Sequence, residues 1–172
     1  MATSLYEHSV SSFLQTLGGV EGFLGKGLAH FKEKGIDPNE IVGMRLAPDM
    51  LPFQFQIVSV VQHSIGAMRA VKAGLFTPPK GGPTDYAGLQ ASVTEAREAM
   101  QALTPDEVNA LEGKDVIFQL GERKLPFIVQ DFLLSFSLPN FYFHATTAYD
   151  ILRTKGVPLG KRDYLGRMRL KA

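Results

Sequence analysis

Four long stretches of the chain repeat apolar residues at helical spacing, separated by links rich in Gly and Pro. The first predicts a helix from about Ser4 to Lys34, with Val10, Phe13, Leu14, Leu17, Val20, Leu24, Leu28 and Phe31 on one apolar stripe. Gly18, Gly19, Gly22, Gly25 and Gly27 lie inside it, each costing about 0.5–1 kcal/mol relative to Ala. They are expected to admit a neighbouring helix at close range, or to break this one near Gly18-Gly19. The second helix, from about Pro52 to Ala73, has two different faces. Ile57, Val58, Val61, Ile65, Met68 and Val71 make an apolar side, and Gln56, Ser59, His63, Gly66, Ala67 and Ala70 a small and polar one. Both faces are expected to be buried.

The third helix, about Asp85 to Leu103, carries Leu89, Val93, Ala96, Met100 and Leu103 in a heptad-like row. Thr104-Pro105-Asp106-Glu107 combines an N-cap Thr, Pro at N1 and Glu at N3, the signature of a capping box and a short helix. The β-prone run 115–124 with Gly121 predicts a small hairpin before the last helix. That helix runs from about Pro126 to Lys155 and should be kinked by Pro139. Gly156-Val157-Pro158 stops it, leaving residues 159–172 as a basic tail. The expectation is an all-α, single-domain four-helix bundle spanning 1–172, with a short extra helix and a small hairpin.

Composition narrows the function classes. With 172 residues, 45% hydrophobic and 20% charged, the chain can bury a sizeable core. A net charge of +1 gives no field that would argue for nucleic acid as a partner. The absence of cysteine removes disulfides, thiolate metal sites and a Cys nucleophile. No signal peptide is legible at the N-terminus, and no run of about 18 apolar residues predicts a membrane span. A soluble, cytoplasmic protein is expected.

The candidate chemistry lies on two helices. His8 and His30 fall off the apolar stripe and read as surface residues, whereas His63 and His144 lie on helices facing the interior. Asn140 precedes His144 by one turn, so the two side chains share a face, with Cβ atoms roughly 5–6 Å apart. His63, His144 and Asn140 can converge on a metal ion, and Asp49 or Asp131 would add the carboxylate that catalytic zinc sites often use. The alternative is a buried cluster in which the three satisfy one another. Tyr142 and Tyr149 read either as hydroxyls for the same cavity, with Asn140 as ligand-binding groups, or as packing residues. Phe136, Phe141 and Phe143 read as core. Lys161, Arg162, Arg167, Arg169 and Lys171 make the tail either a phosphate-binding patch or a solvated end. Gly81-Gly82 lacks the following Lys-Ser/Thr of a phosphate loop, and no Gly-x-Ser-x-Gly is present.

Arg45-Leu46-Ala47-Pro48-Asp49-Met50, Leu138-Pro139-Asn140-Phe141-Tyr142-Phe143-His144, Ile151-Leu152-Arg153 and the block from Gly156 to Tyr164 carry a resemblance over nearly the whole chain. It resembles an uncharacterised bacterial and fungal domain family within the DinB/YfiT-like superfamily. The resemblance implies a four-helix bundle, often dimeric, and often a metalloenzyme with one His on the second helix and His-x-x-x-His on the last. His63 and His144 match that motif, and Asn140 stands where the remaining His belongs. The implied function is a divalent-metal-dependent (Zn, Ni or Mn) transferase or hydrolase acting on a small molecule, with a degenerate site. A non-catalytic dimeric binding or stress-related protein is the alternative.

Overall fold

A computed structural model of the protein describes residues 3–171, mostly helical with one small sheet. The chain opens with a single turn, α1 (Leu5–His8), capped reciprocally by Ser4 and Glu7. The Ser9 hydroxyl donates to the Leu5 carbonyl at 2.6 Å, and α2 (Val10–Lys34) follows. A serine bonded back onto the preceding turn competes with the helical ladder. The long helix expected from Ser4 is therefore interrupted at Ser9, not at Gly18-Gly19. Close approach falls to two of its glycines. A methyl group at Gly19 would lie 2.3 Å from the Tyr164 carbonyl oxygen, and one at Gly27 would lie 2.5 Å from the Tyr86 hydroxyl. Gly22 and Gly25 face open space.

The second long run is α3 (Phe53–Val61) and α4 (Ala67–Ala73), joined without a break by a π turn, Gln62–Gly66. α5 (Tyr86–Gln101) starts on the Asp85 side chain, and α6 (Pro105–Asn109) on the Thr104/Glu107 capping box. The last run is α7 (Val129–Asp131), a second π turn at Phe132–Ser137, and α8 (Leu138–Thr154). Pro139 sits at the start of α8, so the kink expected there is met by a widened turn directly ahead of the proline. A short α9 (Lys161–Leu165) packs against α2.

An all-α description leaves out a three-stranded sheet. β2 (Asp115–Leu120) and β3 (Arg123–Ile128) form the expected hairpin, with Val116 opposite Phe127 and Leu120 opposite Arg123. β1 (Leu75–Phe76) adds a parallel strand beside β2, pairing Phe76 with Phe118. The hairpin also continues through Pro126, so the last helix begins at Val129. The local reason is that Leu125 precedes a proline, which disfavours helical backbone there.

α2 packs on α5 and α8, and α3 packs on the same two helices. Between them lie fully buried Phe13, Leu17, Phe23, Phe53, Leu89, Met100 and Phe141. Each such side chain contributes about 1.5–3 kcal/mol by leaving water. Phe13 and Phe141 meet edge to face at 5.0 Å, tying α2 to α8. Phe143, read as core, is instead 56% exposed, because two residues along the helix turn it away from Phe141.

Candidate functional site

His63 lies within the first π turn and is 7% exposed. Its ring centroid is 5.2 Å from Phe76 of β1, 5.5 Å from Phe136 of the second π turn and 5.9 Å from His144 of α8. The sheet and both widened turns thus meet at this imidazole. The two histidine rings are nearly parallel, 18° apart. Single π turns recur at functional positions because they rotate a side chain out of its regular phase.

Each imidazole has one nitrogen engaged. The Ser137 hydroxyl donates to the His63 backbone carbonyl at 2.9 Å, leaving its oxygen 3.5 Å from His63 Nδ1, at the long end for a hydrogen bond. His144 Nδ1 lies 2.7 Å from Gln56 Oε1. An amide oxygen only accepts, so Nδ1 donates and Nε2 keeps its lone pair. Gln56 is fixed in turn by donating to the Leu51 carbonyl at 2.8 Å. Asn140 donates its amide N–H to the Phe136 carbonyl at 2.7 Å, which leaves Oδ1 free.

Among the described residues, every fully buried side-chain nitrogen or oxygen has a hydrogen-bond partner. His63 Nε2, His144 Nε2 and Asn140 Oδ1 have no hydrogen-bond partner among the described residues. Burial pushes both imidazoles down to about 4, His63 also through its proximity to His144. Both rings are neutral at neutral pH, the form that binds metal.

Were a metal to be held here, the candidate donors would be two imidazoles and an amide oxygen. Zinc–nitrogen bonds of about 2.0–2.1 Å would place two ring centroids sharing one ion about 5–6 Å apart, which the observed 5.9 Å meets. This set fits nitrogen-preferring Zn²⁺ or Ni²⁺ better than oxygen-preferring Mn²⁺. The carboxylates considered for the fourth position do not join it. Asp49 and Asp131 are exposed, and no group of three His, Cys, Asp or Glu able to share an ion forms among the described residues.

Tyr142 and Tyr149 lie elsewhere. At about 100° per residue, Tyr142 is on the far side of α8 from His144, and it lines a cleft with Ser12, Thr16 and Tyr164. Tyr149 meets Phe23 and Tyr164, each at 6.1 Å. His8 is exposed and His30 half-buried, both away from this pair. Gln56 and Ser137 complete the site without having been singled out as its members. Gln56 was legible, since it sits two turns before His63 on the same small face. Phe76 was not, because its place depends on a two-residue strand pairing across more than forty residues.

No curated protein matches the chain. A crystal structure of a DinB family member protein from Shewanella denitrificans is similar, with 26% identity and a TM-score of 0.79 over 98% of this chain and 95% of that one. The family described as Domain of unknown function (DUF1993) matches residues 5–165, and the chain belongs to that family.

Proposed function

We propose that the protein is a DinB-like four-helix bundle in which His63, His144 and Asn140 hold a divalent metal ion, and that it acts there on a small molecule by group transfer or hydrolysis. One observation carries the reading: two imidazoles lie 5.9 Å apart, and their Nε2 atoms and Asn140 Oδ1 have no hydrogen-bond partner among the described residues, whereas the neighbouring polar groups are bonded. When bound, the ion would lower the pKa of a water or thiol and polarise an acceptor carbonyl. Gln56 fixes the His144 ring by accepting from Nδ1, the outer partner that ligating histidines commonly have. Ser137 ties the His63 turn to the second π turn. Phe76 and Phe136 wall the imidazole from water on the sheet side.

The test is elemental analysis of protein purified without chelator or metal-affinity resin, beside His63→Ala, His144→Ala and Asn140→Ala. Near-stoichiometric zinc or nickel that disappears in both histidine variants, with circular dichroism showing that they remain folded, is the expected result. Background metal in the unaltered protein would overturn the reading. Activity screening with small thiols and amides follows a positive result.

A second reading is supported by the lack, among the described residues, of a third imidazole or carboxylate beside the pair, and by the turn of the Asn140 amide into its own helix. Here the polar cluster is structural, and the protein is a non-catalytic binding or stress-related dimer. Both readings include a homodimer in the cytoplasm, which light scattering on the purified protein tests for assembly. No described helix is long and apolar enough to cross a membrane.

A further inference from the structure

The C-terminal tail builds a second polar region, on α2 and away from the histidines. Gln15 donates its side-chain amide to the Leu165 carbonyl at 3.0 Å, and Lys26 pairs with Asp163 at 2.6 Å. Gly166 then turns the chain with φ of +59°, its Cα so close to α2 that a methyl group would lie 2.6 Å from the Gln15 carbonyl oxygen. This reversal brings Arg167 and Arg169 back over α2 beside Arg97 of α5.

Two clefts result, and they share Gln15 and Arg169. One, of about 360 Å³, is lined by Leu14, Gln15, Gly18, Arg97, Arg167 and Arg169, among others. The other, of about 350 Å³, includes Thr16, Tyr142 and Tyr164. Among the described residues, no carboxylate lines either cleft. Glu21 is the nearby acid that matters, and it is occupied by Arg97 at 2.8 Å and by the Thr94 hydroxyl at 2.7 Å. Among the described residues, Arg169 reaches only the Glu7 backbone carbonyl, at 3.5 Å.

We propose that this groove binds a small metabolite bearing an oxyanion group, phosphoryl or carboxylate. Guanidinium forks match the paired oxygens of both groups. Arg167, Arg169 and the unpaired edge of Arg97 hold the anion, while Leu14, Tyr142 and Tyr164 give the rest of the molecule an apolar and hydroxylated wall. Each cleft is within the volume range of small-molecule sites. A net charge of +1 and two short clefts favour a small ligand over a nucleic-acid strand, which needs an extended basic track.

Titration calorimetry at low salt with pyrophosphate and, separately, with citrate tests the assignment on the full chain. Saturable binding is expected, weakened about tenfold or more by Arg167→Glu with Arg169→Glu. Lys161→Glu with Arg162→Glu, on α9 but outside the clefts, should leave it unchanged. The tighter of the two anions identifies phosphoryl or carboxylate as the recognised group. Absence of saturation with both, or equal loss in both double variants, would overturn the proposal. Tighter binding of a single-stranded oligonucleotide than of either small anion would overturn it too. All of the substituted side chains are exposed, so folding is not at stake.

Discussion

α2 and α5 are regular along their length, whereas the two helical runs that carry the histidines are each widened by a π turn. The regular pair meets solvent with charges, such as the Glu21–Arg97 pair at 2.8 Å, and accepts neighbours through glycine. The widened pair buries more polar groups: His63, Ser64, Ser137 and Gln56 are all below the surface, against Thr16 and the Tyr86 hydroxyl in the regular pair. Regular backbone suffices where partners are apolar or water is at hand. Where an imidazole must be buried, the ladder gives up its regular register, and side chains from the facing run take over the hydrogen bonding.

The most severe way to break this contrast is to hollow out the widened side. Phe132, fully buried in the second π turn, packs its ring 5.2 Å from Phe76 and 5.5 Å from Phe136. Phe132→Ala is expected to cost about 3–5 kcal/mol in urea unfolding. A cost below about 1 kcal/mol would mean that this side is loosely packed.

Acid sharpens the contrast next. Both histidines are held at about 4 in the folded, metal-free protein against an ordinary 6.5. The unfolded chain therefore takes up protons first as pH falls, so stability declines below about pH 6.5 and continues to decline to about pH 4. The loss should be on the order of 3 kcal/mol for each histidine, about 6 kcal/mol for the pair. Replacing both histidines by Gln should flatten the curve over that window; an equally steep curve in the double variant would assign the effect to other groups.

On the regular side, Gly19→Ala forces a methyl group against backbone of the tail. An expected cost of about 1–3 kcal/mol should be accompanied by faster tryptic cleavage at Lys161 and Arg162. Unchanged stability and cleavage would show that the tail is not held there. The smallest effect is expected from Lys26→Met. Its partner Asp163 is held below the usual carboxylate range by the Lys26 hydrogen bond and the Gly160 N–H. The pair is solvent-screened, so the loss should stay within about 0.2–1 kcal/mol by thermal melting.

Helical periodicity made the four long runs legible, and the Thr104 capping box marked the start of α6, because both signals are local. The same logic put His63, Asn140 and His144 on interior-facing helices. What the pattern lacked was phase. A π turn inserts a residue's worth of rotation that side-chain spacing does not announce, so Ser137 could not be aimed at His63 in advance. Tyr142 and Tyr149 were grouped with His144 by nearness in sequence, although their angle around α8 separates them. The parallel pairing of Leu75 with Ile117 is equally silent, being a long-range bond between two short segments.

The small sheet has a further consequence, for how copies of the protein behave when crowded. An open strand edge is a template on which another chain can add a strand. Here β3 carries Pro126, which has no N–H to offer, together with Arg123 and Lys124. The opposite edge, β1, is two residues long. Beyond it the Thr77 carbonyl is taken by the Gln62 side chain at 2.7 Å, and Pro78-Pro79 follow. Both margins are thus poor seeds for fibril growth, and helical surfaces are left as the ground on which a second copy can settle.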